Sequence, residues 1–232
     1  MSYRKTSVAV VNLKFKAITM IEMLVALLLS VGLLWAISNL YAQFYQNKVK
    51  QNELLMLQKE SHQLLTYLQQ HIQHLGYQGY ARQQTNFHLF ERDNKRYAID
   101  LNGQCFIFFY DLNHDGCLGK RATKYAHCFN RYTNQTKDLA KEVFGIKLEN
   151  RSLYIYDKNN LDHCSYPECG QLLNACREKW RRLASEDDYS VERLHFEWLV
   201  ERKLLHIDLK LRAKKQKSLS YEVSGLVYIL NH

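Results

Sequence analysis

The stretch AITMIEMLVALLLSVGLL, residues 17–34, holds one charge, Glu22, and no other ionised side chain occurs from Ile18 to Asn47. Residues 18–40 are long enough to cross a bilayer, which takes about 20 apolar residues. A carboxylate near mid-membrane costs roughly 2.5–3.5 kcal/mol, so Glu22 demands a partner that this segment does not contain. Further along, Leu54, Leu57, Leu64, Leu68, Ile72 and Leu75 recur at helical spacing among Gln, Glu, Lys and His, the mark of an amphipathic helix. No Gly or Pro falls between Leu33 and Leu75, and Gly76 is a natural stop. The spacing therefore predicts one helix from about Thr19 to Leu75, about 85 Å long. Its first half is apolar all round; its second half has one stripe to bury.

The partner for that stripe follows it in the chain. RYAIDLNGQCFIFFYDLNHDG reads as two strands joined at Asn102-Gly103, a strong hairpin dipeptide. FGIKLENRSLYIYD reads as a second hairpin turning across Glu149 to Arg151, and QLLNACREKWRRLAS as a short helix or an irregular loop. Leu205, Ile207, Leu209 and Leu211 alternate, a basic turn AKKQKS follows, and Leu219, Tyr221 and Val223 alternate again. An antiparallel sheet packed on the amphipathic half-helix satisfies both patterns and defines an α+β head on a membrane-rooted helix.

Charge and cysteine placement agree on orientation. The net charge is +9, but Arg4, Lys5, Lys14 and Lys16 precede the apolar run with no acid among them. They keep the short N-terminus in the cytoplasm by the positive-inside rule. Setting those four aside, and Glu22 in the run, 28 of the 32 Lys and Arg and 22 of the 23 Asp and Glu remain, a mixed surface with a small basic surplus. All six cysteines, Cys105, Cys117, Cys128, Cys164, Cys169 and Cys176, lie beyond the apolar run. An exported segment with an even cysteine count reads as disulfide-bonded. Six cysteines allow 15 pairings, so connectivity stays open, although Cys164, Cys169 and Cys176 lie close enough for a local loop. One proline and nine glycines leave little room for linkers. The apolar run is too long, and continues too far as helix, for a cleaved secretory signal.

AITMIEMLVALLLSVGLL resembles the processing and assembly segment of type IV pilins and type II secretion pseudopilins: a small residue, a hydrophobic one, Thr-Leu-Ile-Glu and an apolar helix. Ala17 stands where the family most often has Gly, Ile18 where it has Phe, and Met20 replaces Leu. The resemblance implies a type IV pilin-like fold, cleavage between Ala17 and Ile18 by a prepilin peptidase, and N-methylation of Ile18. It implies that Glu22 meets the N-terminal amine of a neighbouring subunit, which explains why its partner is missing from this chain. YLQQHIQHLGYQGY, CFIFFYDLNHDGCLG, KWRRLASEDDYSVERLHFEWL and the closing LVYILN are similar to segments of the minor pilins called PilW or prepilin-peptidase-dependent protein B, and of J-type pseudopilins. The implied organisation is a basic leader at 1–17, a long helix at 18–75 with its membrane span at 18–40, and an exported head at 76–232. The implied partners are other minor and major pilins, the prepilin peptidase and an inner-membrane assembly platform, with no cofactor. The implied role is structural, initiating or joining a type IV pilus, one for DNA uptake among the options, or else a type II secretion pseudopilus. A filament-tip receptor and an unprocessed membrane anchor are the rival readings.

Weaker constellations read as structure. Asp111, Asn113, Asp115 and Gly116 match the start of a calcium loop, but Ala122 occupies the position of its bidentate Glu; a turn is expected. The Cys spacings fit no common zinc site. Lys214, Lys215 and Lys217 at the basic turn, and Trp180 among Arg177, Lys179, Arg181 and Arg182, are the candidates for DNA contact. No GxSxG, HExxH or Walker loop is present, and no enzyme activity is expected.

Overall fold

The computed structural model describes residues 19–79, 85–157, 162–177, 180–183 and 188–231. The chain divides into two compact units, Met1–Val49 and Lys50–His232. The first helix, α1 (Met20–Ile72), runs from one into the other.

In the first unit every residue from Thr19 to Val49 is exposed, as expected of a segment apolar on all sides with no protein to cover it. By length and composition α1 is the one helix among the described residues that qualifies as a membrane span. In the second unit α1 buries Leu57, Ser61, Leu65, Leu68 and Ile72, a stripe at spacings of four and three. The stripe centres on Leu65, with Leu64 only half-buried; adjacent leucines left that choice ambiguous in the sequence. After Ile72 two tighter turns, with His74 N–H donating to His71 and Leu75 N–H to Ile72, carry the chain to Gly76. Gly76 has φ +72° and its backbone N–H donates to the carbonyl of Phe109. The stop expected there is a left-handed glycine tied into the head.

The head is α+β, and every strand pairing among its described residues is antiparallel. The stripe of α1 packs on a three-stranded sheet ordered β10-β9-β8, made of β8 (Tyr189–Val200), β9 (Leu204–Ala213) and β10 (Ser220–Tyr228). Gly225 of β10 sets how close the helix lies: a Cβ there would sit 2.8 Å from Gln69 Nε2 and 3.1 Å from both methyls of Leu65. The second sheet has five strands ordered β1-β2-β5-β6-β7. These are β1 (Tyr97–Ile99), β2 (Cys105–Phe109), β5 (Val143–Glu149), β6 (Ser152–Ile155) and β7 (Arg181–Arg182). The short pair β3 (Phe129–Asn130) and β4 (Thr133–Asn134) stands apart.

Both predicted hairpins are present. The Asn102-Gly103 turn joins β1 to β2 with Gly103 at φ +66°, and the Gly103 carbonyl accepts a bond from Phe196 N–H of β8. Asn150 and Arg151, at φ 51° and 61°, form the two-residue loop between Glu149 and Ser152, a turn with both central residues left-handed. QLLNACR becomes a 3-10 segment, Gly170–Arg177, after the short helix α3 (Tyr166–Cys169).

Strand β2, between β1 and β5, is buried at all five residues. Phe106 and Phe108 face the core shared with α1 and the three-stranded sheet, whereas Cys105, Ile107 and Phe109 face a second core. That second core is closed by the short helix α2 (Phe87–Phe90), α3, the 3-10 segment and Trp180. A disulfide between Cys105 and Cys176 ties the 3-10 segment to β2 across a sequence separation of 71. Cys117–Cys128 and Cys164–Cys169 complete the pairing. Cys176 thus joins the sheet and not the neighbouring cysteines.

Long loops lose more freedom when closed, which ranks these bonds. Replacing Cys105 and Cys176 together by Ala is expected to lower head stability by about 4 kcal/mol, against about 2 for the Cys164–Cys169 pair. Urea unfolding of the detergent-solubilised chain, followed by tryptophan fluorescence, measures both.

Candidate functional site

The residues that the family resemblance singles out lie at the start of α1. Thr19 precedes the helix and its Oγ1 accepts from the backbone N–H of Glu22 at 3.3 Å. Glu22 Oε2 in turn accepts from Thr19 N–H at 2.9 Å and from Thr19 Oγ1 at 3.0 Å. This reciprocal arrangement is a capping box, Thr at the N-cap and Glu three residues on. It satisfies backbone donors that the first helical turn leaves without partners, which matters most where water is scarce. The T-x-x-E spacing was visible in the sequence as a capping signature and was read only as part of the assembly segment. Oε1 of Glu22 has no hydrogen-bond partner among the described residues. The cleavage pair Ala17–Ile18, and Ile18 as methylation site, lie outside the described residues.

The aspartate-rich loop is held by its own backbone. Asp111, fully buried, accepts from the N–H groups of Gly79, Asp115 and Gly116. Asn113 caps Asp115, and Asp115 caps Cys117 and Arg121. Glu142, unremarked in the sequence, closes the loop from β5's edge by accepting from Asn113 and Gly119. Among the described residues no group of three or more His, Cys, Asp or Glu is disposed to hold a metal ion. Burial pushes the Glu142 carboxyl up to about 7; the Gly119 and Asn113 donors oppose the rise, and Asp111 and Asp115 add to it.

The basic candidates are dispersed. Lys215 pairs with Asp188 at 3.0 Å, and Lys214 and Lys217 stand exposed at the same hairpin tip. On the adjoining strands Arg212 meets Glu192 at 2.6 Å, while Lys210 lies 3.8 Å from Glu222. Trp180 is buried in the second core, edge-on to Tyr156 and facing Gly145, where a Cβ would approach its ring to 2.7 Å. It is a packing residue and offers no face to a base.

An exposed apolar half-helix opened by a Thr–Glu cap is a candidate membrane anchor, and it continues into an α+β head stapled by three disulfides. Residues 50–229 match the family of prepilin peptidase-dependent protein B, and the chain belongs to that family. An uncharacterized protein of Haemophilus influenzae is 32% identical over 193 residues, 76% of this chain and 80% of its own length. No solved structure matches the chain.

Glu142 gives the head a pH dependence with a defined sign. Its ordinary value is 4.5 and its folded value about 7, so between these the folded state holds a proton that the unfolded chain has released. Stability from this group is full below 4.5 and falls as pH rises through 7. Glu142→Gln is expected to flatten the fall in urea midpoint between pH 5 and pH 8.

Proposed function

We propose that this chain is a structural, non-catalytic minor subunit of a type IV pilus. It is matured by a prepilin peptidase between Ala17 and Ile18, with its apolar half-helix in the inner membrane and its head on the periplasmic side. The reading is supported from two separate parts of the chain. Residues 50–229 carry the family match, while the pilin-like assembly segment lies wholly before them. In the family's name, dependence on the peptidase is the property that a cut before Ile18 would explain.

The observation that carries the proposal is the way Glu22 is used. One carboxylate oxygen caps its own helix through Thr19. The other is left for a cation, and no basic side chain of this chain follows within the apolar run. A neighbouring subunit's new N-terminal amine would supply that cation. An ion pair made only between chains, in a medium of low dielectric, is satisfied at one axial offset and so specifies register. The partners of the reading are accordingly other pilin-type subunits and the membrane platform that assembles them.

The first test is intact mass of the membrane-extracted protein, with and without a co-expressed prepilin peptidase. Loss of residues 1–17 plus one methyl group is the expected result; an unchanged mass with active peptidase overturns the proposal in favour of an anchored exported protein. A second test separates the two duties at the helix start. Glu22→Leu is expected to abolish incorporation into surface filaments. Thr19→Val, which removes the cap at a cost of about 1 kcal/mol, is expected to leave incorporation largely intact. Filament fractions probed for this subunit report both.

A further inference from the structure

Among the described residues no strand covers the outer edge of β1, and that edge faces a cleft. Phe109 N–H donates to Arg96 and Asp100 N–H to Cys105, and Ala98 faces Ile107 midway between them. In an antiparallel ladder such pairs alternate, so Ala98 spends its backbone groups on β2. Tyr97 and Ile99 turn their N–H and C=O groups the other way, where no strand follows in the sheet order. Among the described residues these groups have no hydrogen-bond partner. An edge of this kind is a template for another strand.

A cavity of about 1230 Å³ runs along this edge, larger than the 300–1,000 Å³ usual for small-molecule sites. Its walls come from opposite faces of the sheet. Trp198 and Glu201 stand on the face of Tyr97 and Ile99; Leu173, Asn174 and Arg177 of the 3-10 segment stand on the face of Ala98. The Cys105–Cys176 disulfide fixes the second wall to β2. The space therefore continues the sheet sideways between two standing walls.

Charge identifies the occupant. Lys95 meets Glu201 at 2.9 Å, Lys147 meets Glu149 at 3.2 Å, and Asp100 is taken up by the backbone N–H groups of Gln104 and Cys105. Four basic residues, Arg92, Lys95, Lys147 and Arg177, and four acidic ones, Asp93, Asp100, Glu149 and Glu201, line the cleft, so it presents no excess of either sign to a nucleic acid or a free anion. Its unmet demand is for main-chain donors and acceptors, flanked by apolar and aromatic surface. We propose that this cleft binds an extended, uncharged strand of a partner protein, adding it beside β1 by main-chain hydrogen bonds to Tyr97 and Ile99. A second folded copy is a poor occupant, because the two walls stand on either side of the edge that its own sheet would have to reach. The inference goes beyond the filament reading and stands without it.

The test uses the full chain in detergent micelles, with the peptide acetyl-Thr-Val-Thr-Val-Thr-Val-Thr-amide as probe and amide hydrogen exchange as readout. Saturating peptide is expected to slow exchange at Tyr97 and Ile99 about tenfold while leaving Ala98, already bonded to β2, unchanged. Peptide N-methylated at alternate residues along one edge is expected to lose the effect, and along the other edge to keep it. Asn174→Trp, which fills the cleft from its wall, is expected to abolish protection with exchange in β9 unaltered. No slowing at millimolar peptide overturns the proposal, as does equal slowing by both methylated forms. Protection that grows with protein concentration in the absence of peptide assigns the edge to a second copy, and overturns it too.

Discussion

The head is organised by the contact of one helical stripe with one sheet. Leu57, Leu65, Leu68 and Ile72 are buried against β8, β9 and β10, and the fit is close enough that a Cβ at position 225 would press on Leu65 and displace the Gln69 amide. Removing that stripe would expose the inward residues of three long strands. An amphipathic half-helix of this length is marginal alone in water, and a three-stranded sheet with one apolar face is equally dependent on a cover. Each element is stable because the other is present. The first turn of α1, in the other unit, holds the capped residues on which the assembly reading rests.

The five-stranded sheet solves a different problem. A chain of this size with one core on each face of β2 needs a strand apolar on both sides, and CFIFF supplies it. The second core is assembled from short, irregular pieces, which have little regular hydrogen bonding to hold them. Three disulfides and a self-satisfying aspartate loop do that work, and two of the disulfides, Cys117–Cys128 and Cys164–Cys169, close loops within the irregular region itself. Glu142 shows the cost of such packing: the loop's backbone donors are matched by a carboxylate whose burial raises its proton affinity.

Much of this was legible in the sequence, for physical reasons that differ by element. The long helix announced itself because no Pro occurs in it and no Gly after Gly32, and both hairpins because their turns need residues that tolerate positive φ. Strand β9 was visible since one face is buried and strict alternation survives. Strand β8 was not: register shifts between Val191 and Arg193, and again between Trp198 and Val200, break the period of two, so the alternation of Tyr189 and Val191 slips by one residue before it resumes at Leu194 and Phe196. The disulfide partner of Cys176 was equally hidden, since proximity in the chain pointed to Cys164 and Cys169 while the fold brings Cys105 beside it. Trp180 looked like a stacking platform because its neighbours are basic; its own ring is what closes the second core. At the helix start the resemblance points to an assembly segment, and the structure adds chemistry that the resemblance does not contain: Thr19 and Glu22 cap one another.

For the proposed membrane-stored subunit, that cap changes what the carboxylate of Glu22 costs. A glutamate awaiting a partner from another chain would be a serious liability in a lone subunit stored in a bilayer. Bonded to Thr19 N–H and Oγ1, it instead takes up groups that the helix end must satisfy in any case, and part of its desolvation is met before assembly begins. Two hydrogen bonds to an uncharged donor do not neutralise the charge, however, so a drive toward an ammonium remains. If the chain assembles as proposed, this arrangement leaves the subunit stable enough to wait and unsatisfied enough to assemble, with the balance set within four residues. An aspartate at position 22 would shorten the reach to Thr19 and lose that balance, whereas a glutamine would keep the cap and remove the drive.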